Sequence, residues 1–343
     1  MISKIITQDK IAKTQKWIDK YNKFVIVTHL SPDGDAIGSS MGFYHYLNDL
    51  GNNVSVVVPN SFPQFLKWIA GTDKIIQFDE QPELVTQLLE EADVIFCLDF
   101  NTLSRIKGLG ELVQSSKAKK VMVDHHPYPG DFADVTISYP IISSTSELIF
   151  RLICRMGDFS EISKEAAEAI YTGMMTDTGA FTYNSNSPEI YHIIGELLSK
   201  GINKDQIYIQ VYNNYSVDRF RMMGFMINER MRIFPDQKAA LLTLSHDEQQ
   251  KFNRQKGDTE GFVNIPLSIK GIVFSVMMRE DTDMIKLSFR SSGKFPANIF
   301  ASEIFNGGGH LNAAGAEFSG SLEEAVRKFE EALPAYYEKY KQE

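Results

Sequence analysis

Four short apolar runs alternate with helix-like segments in the N-terminal part of the chain, and this alternation constrains the fold more than any other feature. The runs are residues 24–28 (FVIVT), 54–58 (VSVVV), 93–99 (DVIFCLD) and 120–124 (KVMVD). They are rich in β-branched residues, which favours buried strands. Strands that alternate with helices form parallel sheets. The sequence therefore predicts an α/β fold built on a doubly wound parallel sheet.

The remaining sequence predicts a helical stretch followed by a smaller α/β domain. Helical periodicity covers residues 143–156, 163–175 and 188–200, and helical linkage is expected over 204–232. Strands return after Pro235, followed by a helix near 296–305, a glycine loop and a closing helix near 321–340. Because 343 residues are long for one core, two domains are expected. We predict domains over residues 1–190 and 235–343, joined by a helical linker over 191–234.

Composition narrows the function classes. The net charge is −9 and no basic face is evident, which argues against a protein that grips long nucleic acid. Cys97 and Cys154 lack metal-site spacing, so we expect reduced thiols in a cytoplasmic protein. No apolar segment resembles a signal core or a membrane span. The sequence does not fix the oligomeric state, although a homodimer is one candidate.

Polar residues follow the predicted strands at their carboxyl ends, where open parallel sheets bind ligands. The candidates are His29, Asp33, Asp35, Asp99, Asp124, His125, His126 and, at a predicted helix end, Asp177. Each has an ordinary alternative: Asp35 could cap a helix, and Asp33 with Gly34 could form a turn. The others could be surface or loop residues. Their joint occurrence along one edge favours a functional site.

Carboxylates and imidazoles in this number suit a pair of divalent ions. Two such ions can clamp the attacking and leaving oxygens of a phosphoryl displacement, which needs a shared carboxylate and terminal ligands on each side. Mixed carboxylate and imidazole ligands suit Mn²⁺, Fe²⁺ or Co²⁺, whereas oxygen cages suit Mg²⁺ better. The absence of cysteine ligands argues against structural zinc.

These motifs resemble those of the DHH phosphoesterases, named for the triplet found here as Asp124-His125-His126. The segments THLSPDGDAIGSS, VIFCLD, VMVDHHP and TGMMTDTGAF resemble the family's four motifs in order. The segments SFRSSG and FNGGGHLNAAG resemble its C-terminal associated domain. The resemblance spans residues 29–315, and no candidate metal ligand departs from the pattern.

The resemblance implies roles for the candidate residues. One ion would be held by His29, Asp33 and Asp99, and the other by Asp35, Asp99, His125 and Asp177, with Asp99 as the bridge. A metal-bridging hydroxide would attack the phosphorus. His126 would face the phosphate and Asp124 would orient an imidazole. The ions are expected to be Mn²⁺.

The second domain supplies expected substrate contacts. The glycine run could expose backbone N–H groups to an anion, and a guanidinium fork suits a terminal phosphate. A glycine run alone is more often a flexible turn, but the adjoining histidine and arginine favour binding. The expected contacts are Arg290, Ser291, Gly307, Gly308, Gly309 and His310.

The resemblance favours the branch of the family that degrades very short oligoribonucleotides and dephosphorylates 3′-phosphoadenosine 5′-phosphate (pAp). Hydrolysis of cyclic dinucleotides or their linear products is the alternative, and a nucleotide-binding regulatory module without catalysis is a second. The complete ligand set argues against the latter. Because the metal motifs and the glycine run fall in different domains, a substrate cleft between them is expected, which would favour short substrates.

Overall fold

The computed structural model describes residues 3–341, which divide into two compact units between Asn214 and Tyr215. This boundary lies within residues 191–234, the predicted helical linker. Residues 204–232 are mostly helical, in separate pieces. They contain two short α-helices, a π-helical turn over Met226–Arg230 and the start of a strand.

The first unit is built on a six-stranded sheet in which all strands are parallel, in the order β3-β2-β1-β4-β5-β6. The predicted α/β fold with a doubly wound parallel sheet is confirmed. The strand order reverses between β1 and β4, which leaves a crevice at the carboxyl ends of these two strands. The strands are β1 (Lys23–Val27), β2 (Asn53–Val58), β3 (Ile76–Gln77), β4 (Val94–Leu98), β5 (Lys119–Asp124) and β6 (Val135–Ser138).

Helices cover both faces of this sheet. Ile26 and Phe96 point into the larger core, whereas their neighbours Val25 and Ile95 point into the core on the opposite face. Alternate side chains of the central strands β1 and β4 are therefore buried on opposite faces, which explains their nearly continuous apolar runs. The helices are α1 (Gln8–Lys20), α2 (Gly34–Asp49), α3 (Pro82–Glu91), α4 (Leu109–Ser115), α5 (Thr145–Met156), α6 (Lys164–Asp177), α7 (Pro188–Ser199) and α8 (Lys204–Tyr212).

The second unit is a mixed six-stranded sheet in the order β11-β12-β10-β9-β8-β7. Its strands are β7 (Met231–Phe234), β8 (Ala239–Leu244), β9 (Phe274–Glu280), β10 (Ile285–Ser291), β11 (Gly308–His310) and β12 (Ala313–Phe318). Its helices are α9 (Val217–Phe225), α10 (His246–Lys251), α11 (Ala297–Phe305) and α12 (Leu322–Tyr340). An aromatic core that includes Phe274, Phe289, Phe300 and Phe329 holds this unit together. Among residues 3–341, no helix is long and apolar enough to cross a bilayer.

Candidate metal centre

The predicted ligands of the first unit converge at the crevice between β1 and β4. His29 lies two residues beyond β1, and Asp99 directly follows β4. Asp124 ends β5, so His125 comes next at the same edge of the sheet. Helices bring the remaining carboxylates: Asp33 and Asp35 flank the start of α2, and Asp177 is the last residue of α6.

His29, Asp33 and Asp99 form a first ligand trio whose coordinating atoms lie within 4.8 Å of one another. The Nε2 atom of His29 is 3.4 Å from Oδ2 of Asp99 and 3.8 Å from Oδ1 of Asp33. Its Nδ1 atom is 2.9 Å from the carbonyl oxygen of Leu30. An Nδ1–H that donates to this carbonyl directs Nε2 toward the carboxylates, as in histidines that bind metals.

Asp33 also begins α2. Its Oδ1 accepts hydrogen bonds from the backbone N–H groups of Asp35 and Ala36, both at 3.0 Å. The helix-capping role that the sequence left open for Asp35 therefore belongs to Asp33. The side chain of Asp35 is buried instead, with 1% of its surface exposed.

Asp35, His125 and Asp177 form a second trio, also within 4.8 Å. The Nε2 atom of His125 is 3.5 Å from Oδ2 of Asp177 and 3.8 Å from Oδ2 of Asp35. Its Nδ1 atom is 3.2 Å from the carbonyl oxygen of Ile142. Both trios thus contain one histidine whose Nδ1 faces a backbone carbonyl and whose Nε2 faces carboxylates.

Asp99 lies between the two trios. Its Oδ2 atom is 3.4 Å from Nε2 of His29, and its Oδ1 atom is 3.5 Å from Nε2 of His125. Its backbone is left-handed, with φ of 64°. Aspartate tolerates this conformation better than most residues do, and residues in such conformations are concentrated at functional sites. One buried carboxylate therefore presents an oxygen to each trio.

His126 is held differently from its neighbour. Its Nδ1 atom is 2.8 Å from Oδ1 of Asp124, whose Oδ2 accepts the backbone N–H of His126 at 2.9 Å. Asp124 is fully buried, and the rings of His125 and His126 are 4.9 Å apart and steeply inclined. The carboxylate of Asp124 thus fixes the orientation of the His126 ring. The two adjacent imidazoles therefore differ in what Nδ1 faces, a backbone carbonyl for His125 and a carboxylate for His126.

Glycines allow the helices that carry Asp35 and Asp177 to cross closely. A methyl group on Gly38 of α2 would lie 2.6 Å from both the carbonyl oxygen of Ala169 and the backbone nitrogen of Gly173. Any side chain there would push α6 away. The crossing therefore determines the separation of two candidate ligands.

Sequence reasoning missed the residues at the start of α5. The backbone N–H groups of Thr145 and Ser146 donate to Asp35, at 2.6 and 2.9 Å, and the Thr145 hydroxyl donates to Oδ1 of Asp99 at 2.9 Å. The signal was present: Ser144 and Glu147 have the spacing of a capping box. What this helix end contacts could not be deduced from that spacing.

Burial and neighbouring charges shift the pKa values of two carboxylates in opposite directions. Burial and the neighbouring charges of Asp99 and Asp177 raise the pKa of Asp35 well above its usual range. Burial alone would also raise the pKa of Asp99, but a hydrogen bond with His29 and the charges of nearby imidazoles outweigh it and hold the pKa below its usual range.

The two histidines of the trios shift toward the protonated form. Burial opposes this, but hydrogen bonds and charges from Asp33 and Asp99 raise the pKa of His29 to about 10. The pKa of His125 rises to about 9 because the charges of Asp177, Asp99 and Asp35 outweigh burial. The surrounding carboxylates thus favour positive charge on both imidazole rings.

The donor set fits two divalent ions. Ligand atoms that share one ion at about 2.1 Å lie roughly 3.0–3.5 Å apart, close to the spacings of 3.4–3.8 Å found between Nε2 and the carboxylate oxygens. Four ionised aspartates carry a charge that two divalent ions would balance, with both imidazoles neutral. The ligand types, nitrogen and oxygen without sulfur, suit Mn²⁺ and its neighbours.

The second unit positions the predicted substrate residues on its sheet. Arg290 of β10 and His310 of β11 are both paired with Ala313 of β12. Residues paired across strands share a face, and the neighbouring Phe289 points into the aromatic core. Arg290 and His310 therefore lie on the face away from that core, with a small residue between them.

Ser291 and the glycines have structural roles of their own. The Ser291 hydroxyl donates to the carbonyl oxygen of Phe295 at 2.6 Å. The predicted glycine loop forms strand β11, and side chains on Gly307 or Gly309 would collide with the backbone of β12. A methyl group on Gly308, in contrast, would meet nothing within 4 Å. Strand pairing therefore explains two of the three glycines.

Comparison with known families matches both units. A model described as the DHH family, N-terminal domain, matches residues 23–174, and the DHHA1 domain model matches residues 236–339. A solved structure of an exopolyphosphatase-related protein from Bacteroides fragilis is 58% identical, with a TM-score of 0.95, and covers 99% of this chain and 100% of that one.

Two curated relatives have named activities. The bifunctional oligoribonuclease and PAP phosphatase NrnA of Thermus thermophilus is 28% identical, over 90% of this chain and 88% of that protein. The cyclic-di-AMP phosphodiesterase PdeA of Listeria monocytogenes is 25% identical over 94% of this chain, but this chain matches only 49% of that protein.

Proposed function

The chain belongs to the DHH family and is a metal-dependent phosphoesterase, and from that premise we propose that it hydrolyses short oligoribonucleotides and pAp with two divalent ions, Mn²⁺ being the best fit. The position of Asp99 carries the proposal. Its two oxygens face different imidazoles, at 3.4 and 3.5 Å, which is the arrangement that a carboxylate shared by two ions requires.

The ligands divide into two groups. We propose that His29 and Asp33 bind one ion, and that Asp35, His125 and Asp177 bind the other, with Asp99 shared. The ions would supply charge neutralisation for the phosphate and a water of lowered pKa as nucleophile. The geometric support is that each group has its coordinating atoms within 4.8 Å.

His126 and Asp124 take a different role in the proposal. Asp124 holds the His126 ring through Nδ1, and we assign Nε2, the other ring nitrogen, to proton transfer or a hydrogen bond to the substrate phosphate. This division resembles catalytic sites in which a buried carboxylate holds a histidine in the orientation for proton transfer. His126 would assist departure of the leaving oxygen.

The substrate class rests on relatives and on charge. NrnA of Thermus thermophilus, by its name, acts on oligoribonucleotides and on pAp, and it matches this chain over most of both lengths. The net charge of −9 gives long nucleic acid little to bind. The second unit would contact the substrate through Arg290 and His310, whose side chains share one face of its sheet.

Cyclic-dinucleotide hydrolysis is the second candidate. It is favoured by the resemblance to PdeA, although that protein is about twice as long as the matched region. The name of the Bacteroides fragilis relative adds polyphosphate as a compound to be tested.

A substrate panel with Mn²⁺ tests the proposal. It should include pAp, RNA dinucleotides, long single-stranded RNA, cyclic di-AMP and polyphosphate. We expect pAp and dinucleotides to give the highest kcat/KM. Faster turnover of cyclic di-AMP, polyphosphate or long RNA would replace the proposed substrate class.

Asp99→Asn tests the shared carboxylate without changing the backbone, because asparagine also tolerates the left-handed conformation found there. It should fold but lose activity on every substrate, since it removes the carboxylate that both ions share. Full turnover by this variant would exclude the two-metal assignment.

A further inference from the structure

One short segment, residues 142–147, contacts three of the candidate ligands. The carbonyl oxygen of Ile142 faces Nδ1 of His125 at 3.2 Å. Thr145 donates its backbone N–H to Asp35 and its hydroxyl to Asp99. The segment therefore meets ligands of both proposed ions without supplying a ligand atom itself.

Several buried hydrogen bonds anchor the segment. Glu147 accepts hydrogen bonds from the hydroxyl of Ser143 at 2.6 Å and from Nε of Arg151 at 2.9 Å. Ser144 caps α5 by accepting the backbone N–H of Glu147 at 3.0 Å. Arg151 and Glu147 are both buried. A buried, hydrogen-bonded ion pair therefore anchors the start of α5 beside the candidate ligands.

The hydroxyl of Thr145 acts on the carboxylate that most needs orientation. An aspartate at the end of a strand can rotate about χ2, whose preferences are broad. A shared carboxylate must instead keep one oxygen toward each ion. The hydroxyl, 2.9 Å from Oδ1 of Asp99, fixes that rotation, and as a neutral donor it leaves the negative charge available to the ions.

We propose that Thr145 is a positioning residue that holds the Asp99 carboxylate in its bridging orientation. This inference rests on the proposed two-metal function. The backbone N–H of Thr145 also donates to Asp35, so one residue contacts a carboxylate from each trio.

Thr145→Val isolates the hydroxyl, because valine keeps the backbone N–H that Asp35 accepts and nearly the same volume. Mn²⁺ binding to the metal-stripped protein should be followed by calorimetry, and the dinuclear centre by electron paramagnetic resonance. We expect one class of Mn²⁺ site to weaken by about 10–100-fold, the usual effect of losing a group that orients a ligand. The spin-coupled signal at two equivalents should fall accordingly.

Thr145→Ser is the matched control, because it retains the hydroxyl and should restore both Mn²⁺ affinity and spin coupling to within a few fold of the wild type. Thermal unfolding of the metal-free proteins checks that the helix end is intact. If Thr145→Val does not fold, Thr145→Ala provides the same comparison with a smaller side chain.

The outcomes separate this inference from the proposed function. If the wild type binds two coupled Mn²⁺ ions and Thr145→Val does so with equal affinity, the positioning role is wrong and the two-metal site stands. Loss of binding in Thr145→Ser equal to that in Thr145→Val would also contradict it. If the wild type itself binds no coupled pair, the two-metal function fails.

Discussion

Replacement of Gly38 by alanine should damage the metal centre through the helix crossing. Its new methyl group would lie 2.6 Å from the backbone of Ala169 and Gly173, about 0.8 Å inside the 3.4 Å of ordinary contact. Such overpacking costs about 1–3 kcal/mol. Because Asp35 and Asp177 lie one turn from the crossing on opposite helices, separation by several tenths of an ångström would exceed the tolerance of about 0.2 Å for metal–ligand distances.

We therefore expect Gly38→Ala to lower the melting temperature by about 2–4 °C for each kcal/mol of unfolding free energy that is lost. It should also weaken Mn²⁺ binding by about 10-fold or more. Calorimetry of unfolding and of metal binding measures the two effects on the same protein. The matched control is Gly195→Ala in α7, where an added methyl group meets nothing within 4 Å. That change should leave Mn²⁺ affinity unaltered and stabilise the protein by about 0.5–1 kcal/mol.

The two readouts allow a clear refutation. Gly38→Ala with wild-type Mn²⁺ affinity, despite a lower melting temperature, would mean that the crossing does not set the ligand spacing. Unchanged stability in addition would contradict the predicted cost of overpacking at this crossing.

Three further outcomes are expected. His126→Ala should keep two Mn²⁺ ions by metal analysis but lose about 10²–10⁴ in kcat; metal loss equal to that of His125→Ala would reverse the assignment of the two rings. The pKa values of His29 and His125 are about 10 and 9 in the metal-free protein, so Mn²⁺ binding at pH 7–8 should release protons and should tighten as pH rises. The raised pKa values also stabilise the folded metal-free protein; this contribution is complete below about pH 6.5 and is lost as pH rises through 9–10. Calorimetry in buffers of different ionisation heat measures the release, and none would contradict the pKa shifts. Gly308→Ala should fold normally, since its methyl group meets nothing within 4 Å, but should raise KM for pAp if substrate approaches this backbone; an unchanged KM would remove Gly308 from the substrate site.

The central strands were predictable because each is buried on two faces. The run at residues 24–28 is strand β1, Lys23–Val27, and the run at 120–124 lies within β5, Lys119–Asp124. Strands β3 and β6 were missed because they have two and four residues, too few for a periodic pattern. Edge strands also bury less of their surface and so carry a weaker apolar signal.

The stretch at 204–232, expected to be helical, divides into separate helices at boundaries that the sequence signals only weakly. Asn203 caps α8 and Ser216 caps α9, and both residues are typical helix starts. The absence of proline and adjacent glycines indicates that the stretch is helical, but it does not show where one helix ends and the next begins. Capping residues were therefore better evidence here than the absence of helix breakers.

The convergence of the site was predictable, whereas its internal order was not. Parallel strands place His29 and Asp99 at one sheet edge, which the sequence shows directly. That Asp33 caps α2 while Asp35 accepts N–H groups of α5 depends on a helix 110 residues away in sequence. No local pattern contains that information, because it arises from the packing of α2 against α5.

Three helix ends act differently on the carboxylates of the centre. Asp35 lies in the first turn of α2 and accepts N–H groups at the start of α5, and both helix ends favour negative charge. Asp177 ends α6, where the helix dipole disfavours a carboxylate, yet it lies beside His125. Packing of α2 against α6 at Gly38 forces these charges together in spite of that cost. Because the fold itself maintains the repulsion, an added cation relieves strain at several positions at once, and its binding is coupled to the stability of the whole first unit.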